Sequence, residues 1–366
     1  MKKQYLLVSL FILLVISFQS CSDQDDEYIL ASPVVVDLTQ VPYPKLSDYR
    51  FFEGDLKNQK PAQNVLPYEP ASSLFTDYAH KKRFVWMPAG TMATYDSDVK
   101  VLNLPVGAAL IKTFYYNNVQ NVTPIGATRI IETRIMIRNV TGWIFAEYIW
   151  NNEQTEAFLD ETGNGRYTEV EWKDENNITK SANYRIPSVQ QCMTCHKQNE
   201  LAIPIGIKPQ NLNTNYAFGQ GTKNQLIKWI EQGYLENNLP SNIVSTVNYN
   251  DISQPLDLRV RSYVDINCAS CHQTNSHCDY RPMRFAFSET SNSANLGVCV
   301  DTQDMNDFPS ALSKIVNPGN PNRSMMFYRL NTENESYRMP LLGRTIIHTE
   351  GVALIQEWIN SLNACN

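Results

Sequence analysis

Several signatures of common enzyme classes are missing from this 366-residue sequence. It contains no glycine-rich phosphate-binding loop, no G-x-S-x-G nucleophile elbow and no HExxH zinc-protease motif. An excess of basic residues is also missing, because 31 Lys and Arg residues stand against 37 Asp and Glu. The motif-based interpretations as nucleotide-binding enzyme, serine hydrolase or metalloprotease are therefore excluded, and the acidic balance argues against nucleic acid as a partner.

Long apolar runs are also scarce, and the one that exists lies at the N-terminus. Lys2 and Lys3 precede the run YLLVSLFILLVISF, which is too short for a comfortable membrane span and is followed by the polar stretch SDQDDE. This pattern predicts an export signal over residues 1–20. Its removal leaves 29 basic and 37 acidic side chains, and a formal charge of −8.

Cys21 directly follows the predicted signal. A cysteine at this place resembles the acylated cysteine of bacterial lipoproteins, although Gln19 is not the usual small residue. We therefore expect Cys21 to carry lipid, residues 21–41 to form a flexible linker, and an outer-membrane lipoprotein to face the periplasm or the cell surface. The alternative is a secreted protein with a free cysteine near its end.

Two Cys-x-x-Cys-His units account for four of the remaining cysteines, in the stretches QCMTCHKQ and NCASCHQT. Two thiols on one turn can reach both vinyl groups of haem, and the adjoining imidazole then lies below the iron. Zinc sites usually have closer halves than the 73 positions that separate Cys195 from Cys268. A thioredoxin-like redox pair needs no following His. We therefore predict two covalently bound haem c groups, held by Cys192, Cys195 and His196 and by Cys268, Cys271 and His272.

The surroundings of the second unit resemble a class I cytochrome c. Apolar spacing predicts a helix over DLRVRSYVDIN, a closing helix around Leu354 to Leu362, and a shorter one from Ser324 to Leu330. Met339 in YRMPLLG follows His272 by 67 positions and is the predicted sixth iron ligand. The alternative is that Met339 only fills the core.

The first unit has no obvious sixth ligand. Ser188 and Gln191 form a capping-box pattern that predicts a short helix carrying Cys192. No methionine occurs from Lys197 to Arg281. The site is therefore open, or it takes a lysine or one of His80, Met87, Met92, Met136, His277, Met283, Met325, Met326 and His348.

Three cysteines remain beyond the haem motifs. We expect a disulfide between Cys278 and Cys299 that ties down the loop after the second unit, although Cys365 could compete for either partner.

The N-terminal half, residues 42–184, is aromatic-rich and has a strand pattern. Alternation in IIETRIMIR, a Thr141-Gly142 turn and the run WIFAEYIW predict an antiparallel sandwich or small barrel. Glu132 and Arg134 share a strand face and could line a pocket, but such a pair is more often an ion pair on a solvated face.

The order of phrases resembles a family of largely uncharacterised bacterial dihaem c-type cytochromes. The phrases include SSLFTDYAHKKRF, LPVGAALIKTF, GWIFAEYIWN, YRIPSVQQCMTCH, RSYVDINCASCH and NPGNP, and the resemblance covers residues 42–366. It implies redox function without a settled substrate. We predict an α+β multidomain chain with a β-rich domain at 42–184, then a mainly α-helical dihaem cytochrome c region made of a first haem-binding region at 185–256 and a class I cytochrome c-like domain at 257–366.

The expected activity is electron transfer between an unknown redox partner protein and an acceptor in the cell envelope. One alternative is a dihaem peroxidase-like enzyme with an open first haem. Another is an envelope lipoprotein whose β-rich domain binds a ligand.

Overall fold

An eight-stranded antiparallel sheet is the largest element of the fold, in a computed structural model that describes residues 32–365. The predicted export signal and Cys21 lie outside the described residues. Its strands are β3 (Leu66–Pro67), β4 (His80–Trp86), β5 (Ala109–Val119), β6 (Ala127–Asn139), β7 (Gly142–Trp150), β8 (Ala157–Leu159), β9 (Arg166–Lys173) and β10 (Thr179–Ile186). A separate two-stranded sheet consists of β1 (Phe52–Glu53) and β2 (Lys60–Pro61). The strands of the large sheet follow the order β10, β9, β5, β6, β7, β8, and β4 pairs with both β5 and β3.

The predicted strands are present, but they do not form two facing sheets. β5, β6, β7 and the β9–β10 hairpin all belong to the one eight-stranded sheet. One face of this sheet packs on the N-terminal segment through Tyr43, Leu46, Tyr49 and Phe51. The other face is covered by residues of the C-terminal half, which takes the place of the second sheet in the expected sandwich.

The C-terminal half contains short helices separated by long irregular segments. The helices are α1 (Val189–Cys192), α2 (Pro209–Leu212), α3 (Gln225–Glu231), α4 (Leu256–Cys268), α5 (Met325–Leu330) and α6 (Thr349–Ser361). Two small hairpins join β11 (Lys197–Gln198) to β12 (Leu201–Ala202) and β13 (Asn215–Phe218) to β14 (Gly221–Asn224).

The prediction of a mainly α-helical cytochrome c region is therefore wrong. Between α4 and α5 the chain makes turns and two short 3-10 segments, Ser293–Leu296 and Pro321–Arg323. This stretch is rich in Asn, Ser, Asp and Pro, whose side chains compete with helical hydrogen bonds. Asn292 shows the effect, since its side chain accepts from the backbone N–H of Ala294.

Helices α4 and α6 form where the apolar spacing predicts them. Val260 and Val264 of α4 pack with Ile355 and Ile359 of α6 in one buried cluster. This packing fixes the end of α4, where the second CxxCH unit begins.

The β-rich and C-terminal parts contact each other closely within one compact unit, Pro33–Asn366. The Asp77 carboxylate accepts hydrogen bonds from the backbone N–H groups of Thr345 (2.6 Å) and Ile346 (3.1 Å). The backbone N–H of Phe75 donates to the Asn267 side chain at 2.8 Å. The finer domain boundaries at 184/185 and 256/257 stay predictions. Within residues 32–365, no helix has both the length and the apolar character that a membrane span requires.

Candidate functional site at the two CxxCH loops

The first CxxCH loop begins at the C-terminal end of α1. Ser188 caps this helix, since its side chain accepts from the backbone N–H of Gln191 while the Gln191 side chain bonds back, which confirms the predicted capping box. The chain then turns tightly, and the N–H groups of Cys195 (3.1 Å) and His196 (2.9 Å) both donate to the Cys192 carbonyl. Both thiols and the imidazole are thereby held on one turn.

His196 is held in the state expected of a metal ligand. Its Nδ1 lies 2.9 Å from the carbonyl oxygen of Ile203, and burial lowers its pKa to about 3. A neutral imidazole that donates from Nδ1 to a carbonyl keeps the lone pair of Nε2 available for a metal. Phe145 of β7 packs edge-on against the ring, with 5.3 Å between the centroids.

The second CxxCH loop repeats this turn at the end of α4. The N–H groups of Cys271 (3.1 Å) and His272 (3.0 Å) both donate to the Cys268 carbonyl. Burial lowers the pKa of His272 to about 4, so this imidazole is also neutral. Its Nδ1 is buried without a hydrogen-bond partner among residues 32–365. Because a buried polar atom is rarely left without a partner, this nitrogen is consistent with a ring that binds a group other than protein.

The two loops lie side by side, which their separation in the sequence did not reveal. The sulfur atoms of Cys195 and Cys271 are 3.6 Å apart. The hydrogen bond that Cys271 donates is the main reason that the pKa of Cys195 is lowered. Backbone pairing continues beyond the sulfurs, since the N–H of Asn199 donates to the Asn275 carbonyl at 2.9 Å.

A cavity of about 360 Å³ adjoins the second loop. Its wall includes both thiols of that loop and His272, together with Cys195 of the first loop. Met339 also lines it, as do Met283, Met325, Met326 and His277. The cavity thus has a mostly apolar wall with two imidazoles and several thioethers, which suits a large flat apolar cofactor with a sulfur ligand.

The other candidate ligands lie in separate surroundings. Met87 and Met136 are in a buried apolar cluster, and Met92 is 45% exposed. His80 packs against Tyr115. His348 stacks on Phe75 at 4.1 Å, and its Nδ1 lies 3.1 Å from the hydroxyl of Tyr263. The structure therefore places four thioethers in the wall of the cavity beside the second loop, and Met136 directly opposite Phe145 on the neighbouring strand.

Charged side chains occupy the sheet face near the first loop. One row across the neighbouring strands β4, β5, β6 and β7 consists of four directly paired residues: Arg83, Lys112, Arg134 and Glu147. Two more charged residues lie on the same face, Lys81 two positions before Arg83 and Glu132 two positions before Arg134. We call this set the charged strip: Lys81, Arg83, Lys112, Glu132, Arg134 and Glu147. The preferred prediction of a solvated Glu132–Arg134 face is wrong, because the C-terminal half covers this face and Glu132 is fully buried.

The expected Cys278–Cys299 disulfide is also wrong. Cys299 pairs with Cys365 across a separation of 66 residues, and Cys278 is free and buried. The last turn of α6 returns the C-terminus to the loop that holds Cys299. Spacing alone could not reveal this approach, because it depends on how α6 packs.

A metal centre made of protein side chains is not found in residues 32–365. No group of three or more His, Cys, Asp or Glu side chains is arranged there to hold a metal ion. Together with the low helix content, this finding shows that the prediction of a metal-binding cytochrome c fold is wrong. Haem is a separate case, because the porphyrin surrounds its iron and the protein adds only axial ligands.

Comparisons of this chain with protein families, with curated proteins and with solved structures found no match.

Proposed function

We propose that the chain binds covalent haem at both CxxCH loops and transfers electrons between a redox partner protein and an acceptor. The observation that carries the proposal is the shared geometry of the loops. Each holds two cysteines and a neutral imidazole on one turn, and the two turns meet at Cys195 and Cys271, 3.6 Å apart. Two redox centres this close together allow electrons to pass between them, whereas neither zinc binding nor thiol exchange accounts for the histidine in both.

Each loop supplies the groups that haem attachment requires. The thiols of Cys192 and Cys195, and those of Cys268 and Cys271, can add across vinyl groups to form thioethers, with the thiol hydrogen going to the vinyl carbon. His196 and His272 each have a nitrogen for the iron. Haem, when bound, supplies iron that changes between the ferric and ferrous states.

The two sites differ in what lies opposite the histidine. Met339 lines the cavity that holds His272, and a thioether ligand favours ferrous iron and raises the potential. We therefore expect the second site to have the higher potential and electrons to move from the first site to the second.

The direct test is the haem content of the purified protein, produced with a cytochrome c maturation system. A pyridine haemochrome assay should give two haems per chain. The double variant Cys192→Ala/Cys195→Ala and the matched variant Cys268→Ala/Cys271→Ala should each lose one, while Cys278→Ala should keep both. Wild-type protein with one haem or none, or with stoichiometric zinc, would overturn the proposal.

A dihaem peroxidase-like enzyme is the second candidate. It is favoured by the surroundings of His196, because the charged side chains of Lys112 and Arg134 lie close enough to act electrostatically on this imidazole. An open first site gives high-spin ferric iron that binds cyanide or peroxide. A ferric spectrum that is entirely low-spin excludes this candidate.

Export and membrane attachment belong to the same proposal. If Cys21 carries lipid, Cys21→Ser should move the protein from the membrane fraction to the soluble fraction. Persistence of the variant in salt-washed membranes would contradict lipidation as the anchor.

A further inference from the structure

The charged strip contains four basic side chains and two acids. Glu132 accepts two hydrogen bonds from Arg134, at 2.5 and 3.0 Å, and one from the Tyr184 hydroxyl. Burial and the neighbouring Glu132 raise the pKa of Glu147 well above its usual value. Glu147 also lies 3.3 Å from the Arg134 guanidinium, so among residues 32–365 both acids of the strip pair with Arg134 and neither pairs with Arg83.

Arg83 is the best evidence that the strip lacks an anion. Its side chain is 5% exposed, and both of its terminal nitrogens are without a hydrogen-bond partner among residues 32–365. Its ion pair with Glu69 spans 3.7 Å, which is longer than a hydrogen bond, and the Glu69 side chain is 51% exposed. Because a buried guanidinium is costly unless it is paired, its free N–H groups point to a ligand that accepts hydrogen bonds.

Lys81 and Lys112 lie on either side of Arg83 on the same face. Both residues are half-buried. Burial lowers the pKa of Lys81 to about 7 and that of Lys112 well below its usual value, and repulsion by Arg83 lowers both further. A bound anion would favour the protonated form of both lysines.

The strip adjoins the first CxxCH loop. Phe145, which contacts the His196 ring, lies on β7 two residues before Glu147 and on the same face. The charges of Arg134 and Lys112 also act on the Cys192 thiol. A group attached at the first loop can therefore extend towards the strip.

We propose that the charged strip is an oxyanion-binding site in which Arg83 donates to carboxylate or a similar oxyanion, flanked by Lys81 and Lys112. The oxyanion has two sources: the propionate carboxylates of haem at the first loop, or a small free anion such as a carboxylate substrate. The first source rests on the proposed function, and the second does not.

The test is calorimetric titration of sodium acetate and sodium sulfate into two full-length proteins, the wild type and Cys192→Ala/Cys195→Ala. If propionates fill the strip, only the variant without the first haem binds the added anion. If the ligand is a free anion, both proteins bind it. In either case Arg83→Gln, made in the protein that binds, should weaken binding about tenfold to a hundredfold, as expected for a charge-assisted hydrogen bond.

Matched variants separate a specific site from general charge effects. Arg166→Gln removes a 49% exposed arginine from β9 of the same sheet and should leave anion affinity unchanged. Arg83→Lys keeps the charge and should retain part of the affinity. The proposal would be overturned if Arg83→Gln and Arg83→Lys both bound the anion as tightly as the parent protein. It would also be overturned if neither full-length protein bound an anion.

Haem content measured on the same samples distinguishes the two proposals. Anion binding that depends on Arg83 in a protein without haem would support the oxyanion site while the proposed function fails. Two haems with no Arg83-dependent binding in either protein would leave the proposed function standing and reject the site.

Discussion

Replacement of Asp265 should disturb the support of the second CxxCH loop more than any exposed change nearby. Asp265 lies on α4, three residues before Cys268, and its residue surface is 5% exposed. Its carboxylate accepts from Lys208 Nζ at 3.2 Å, from the Asn211 side chain at 3.0 Å and from the Phe287 backbone N–H at 3.0 Å. One side chain thus links α4 to α2 and to the loop after the motif.

The expected magnitude follows from what each variant leaves behind. Asp265→Ala leaves Lys208, whose side chain is 17% exposed, without its counter-charge. It also removes the acceptor of three donors: the Gln210 and Asn211 side chains and the Phe287 backbone N–H. Breaking a buried pair in this way costs about 3 to 5 kcal/mol of unfolding free energy. Asp265→Asn keeps one acceptor oxygen but replaces the other by an NH2 group and removes the charge, so a smaller cost of about 1 to 3 kcal/mol is expected.

The assay is urea unfolding followed by tryptophan fluorescence, with haem content determined on the same protein. The control is Asp257→Asn on the same helix, since the Asp257 side chain is 59% exposed and its 3.6 Å pair with Arg261 should contribute at most about 1 kcal/mol. A loss below about 1 kcal/mol for Asp265→Ala, or equal losses for Asp265→Ala and Asp257→Asn, would refute the argument.

Three further predictions concern the second site, the disulfide and a turn. Met339→His should keep low-spin iron and lower the potential of the second haem, whereas Met339→Ala should give high-spin iron. An unchanged spectrum in Met339→Ala would show that Met339 only fills the core. Cys299→Ser should lower the unfolding free energy by about 2 to 5 kcal/mol, because it removes the disulfide. Cys278→Ser should lower it by less, because Cys278 is free. Peptide mapping that finds Cys278 in a disulfide would contradict this pairing. Gly163→Ala should lower the unfolding free energy by about 1 to 2 kcal/mol, because Gly163 has a positive φ. Gly165→Ala should lower it more, because the added Cβ would also lie 2.5 Å from the Ile186 carbonyl oxygen. Equal losses of stability in thermal unfolding would show that this contact does not matter.

Features encoded within a few residues were predictable from the sequence. The alternation in residues 131–138 predicts β6, and the apolar spacing around Val260 and Ile355 predicts α4 and α6. The Ser188 capping box is another local feature, since one hydroxyl and one backbone N–H three residues later define it. The two CxxCH units belong to this class, because a single turn places their thiols and imidazole together.

Features that depend on distant segments were not predictable. Alternation shows that Glu132 and Arg134 share a face, but only the packing of the C-terminal half on that face buries Glu132. The same packing leaves the terminal nitrogens of Arg83 without a hydrogen-bond partner among residues 32–365. The prediction of a helical cytochrome c region rested on α4 and α6, which are both present. Most of the chain between these two helices is irregular, because its polar residues favour turns.

The sequence by itself therefore determined the strands, the two long helices and the chemistry of each CxxCH turn, because these depend on local periodicity and on neighbouring side chains. Only the tertiary structure decided that Cys195 lies 3.6 Å from Cys271 and that Cys299 pairs with Cys365. Many arrangements of the intervening 60 to 80 residues satisfy the same local patterns. The packing of α4 against α6 fixes the end of α4, and the fold that results places Cys195 of the first motif in the wall of the methionine-lined cavity at the second motif.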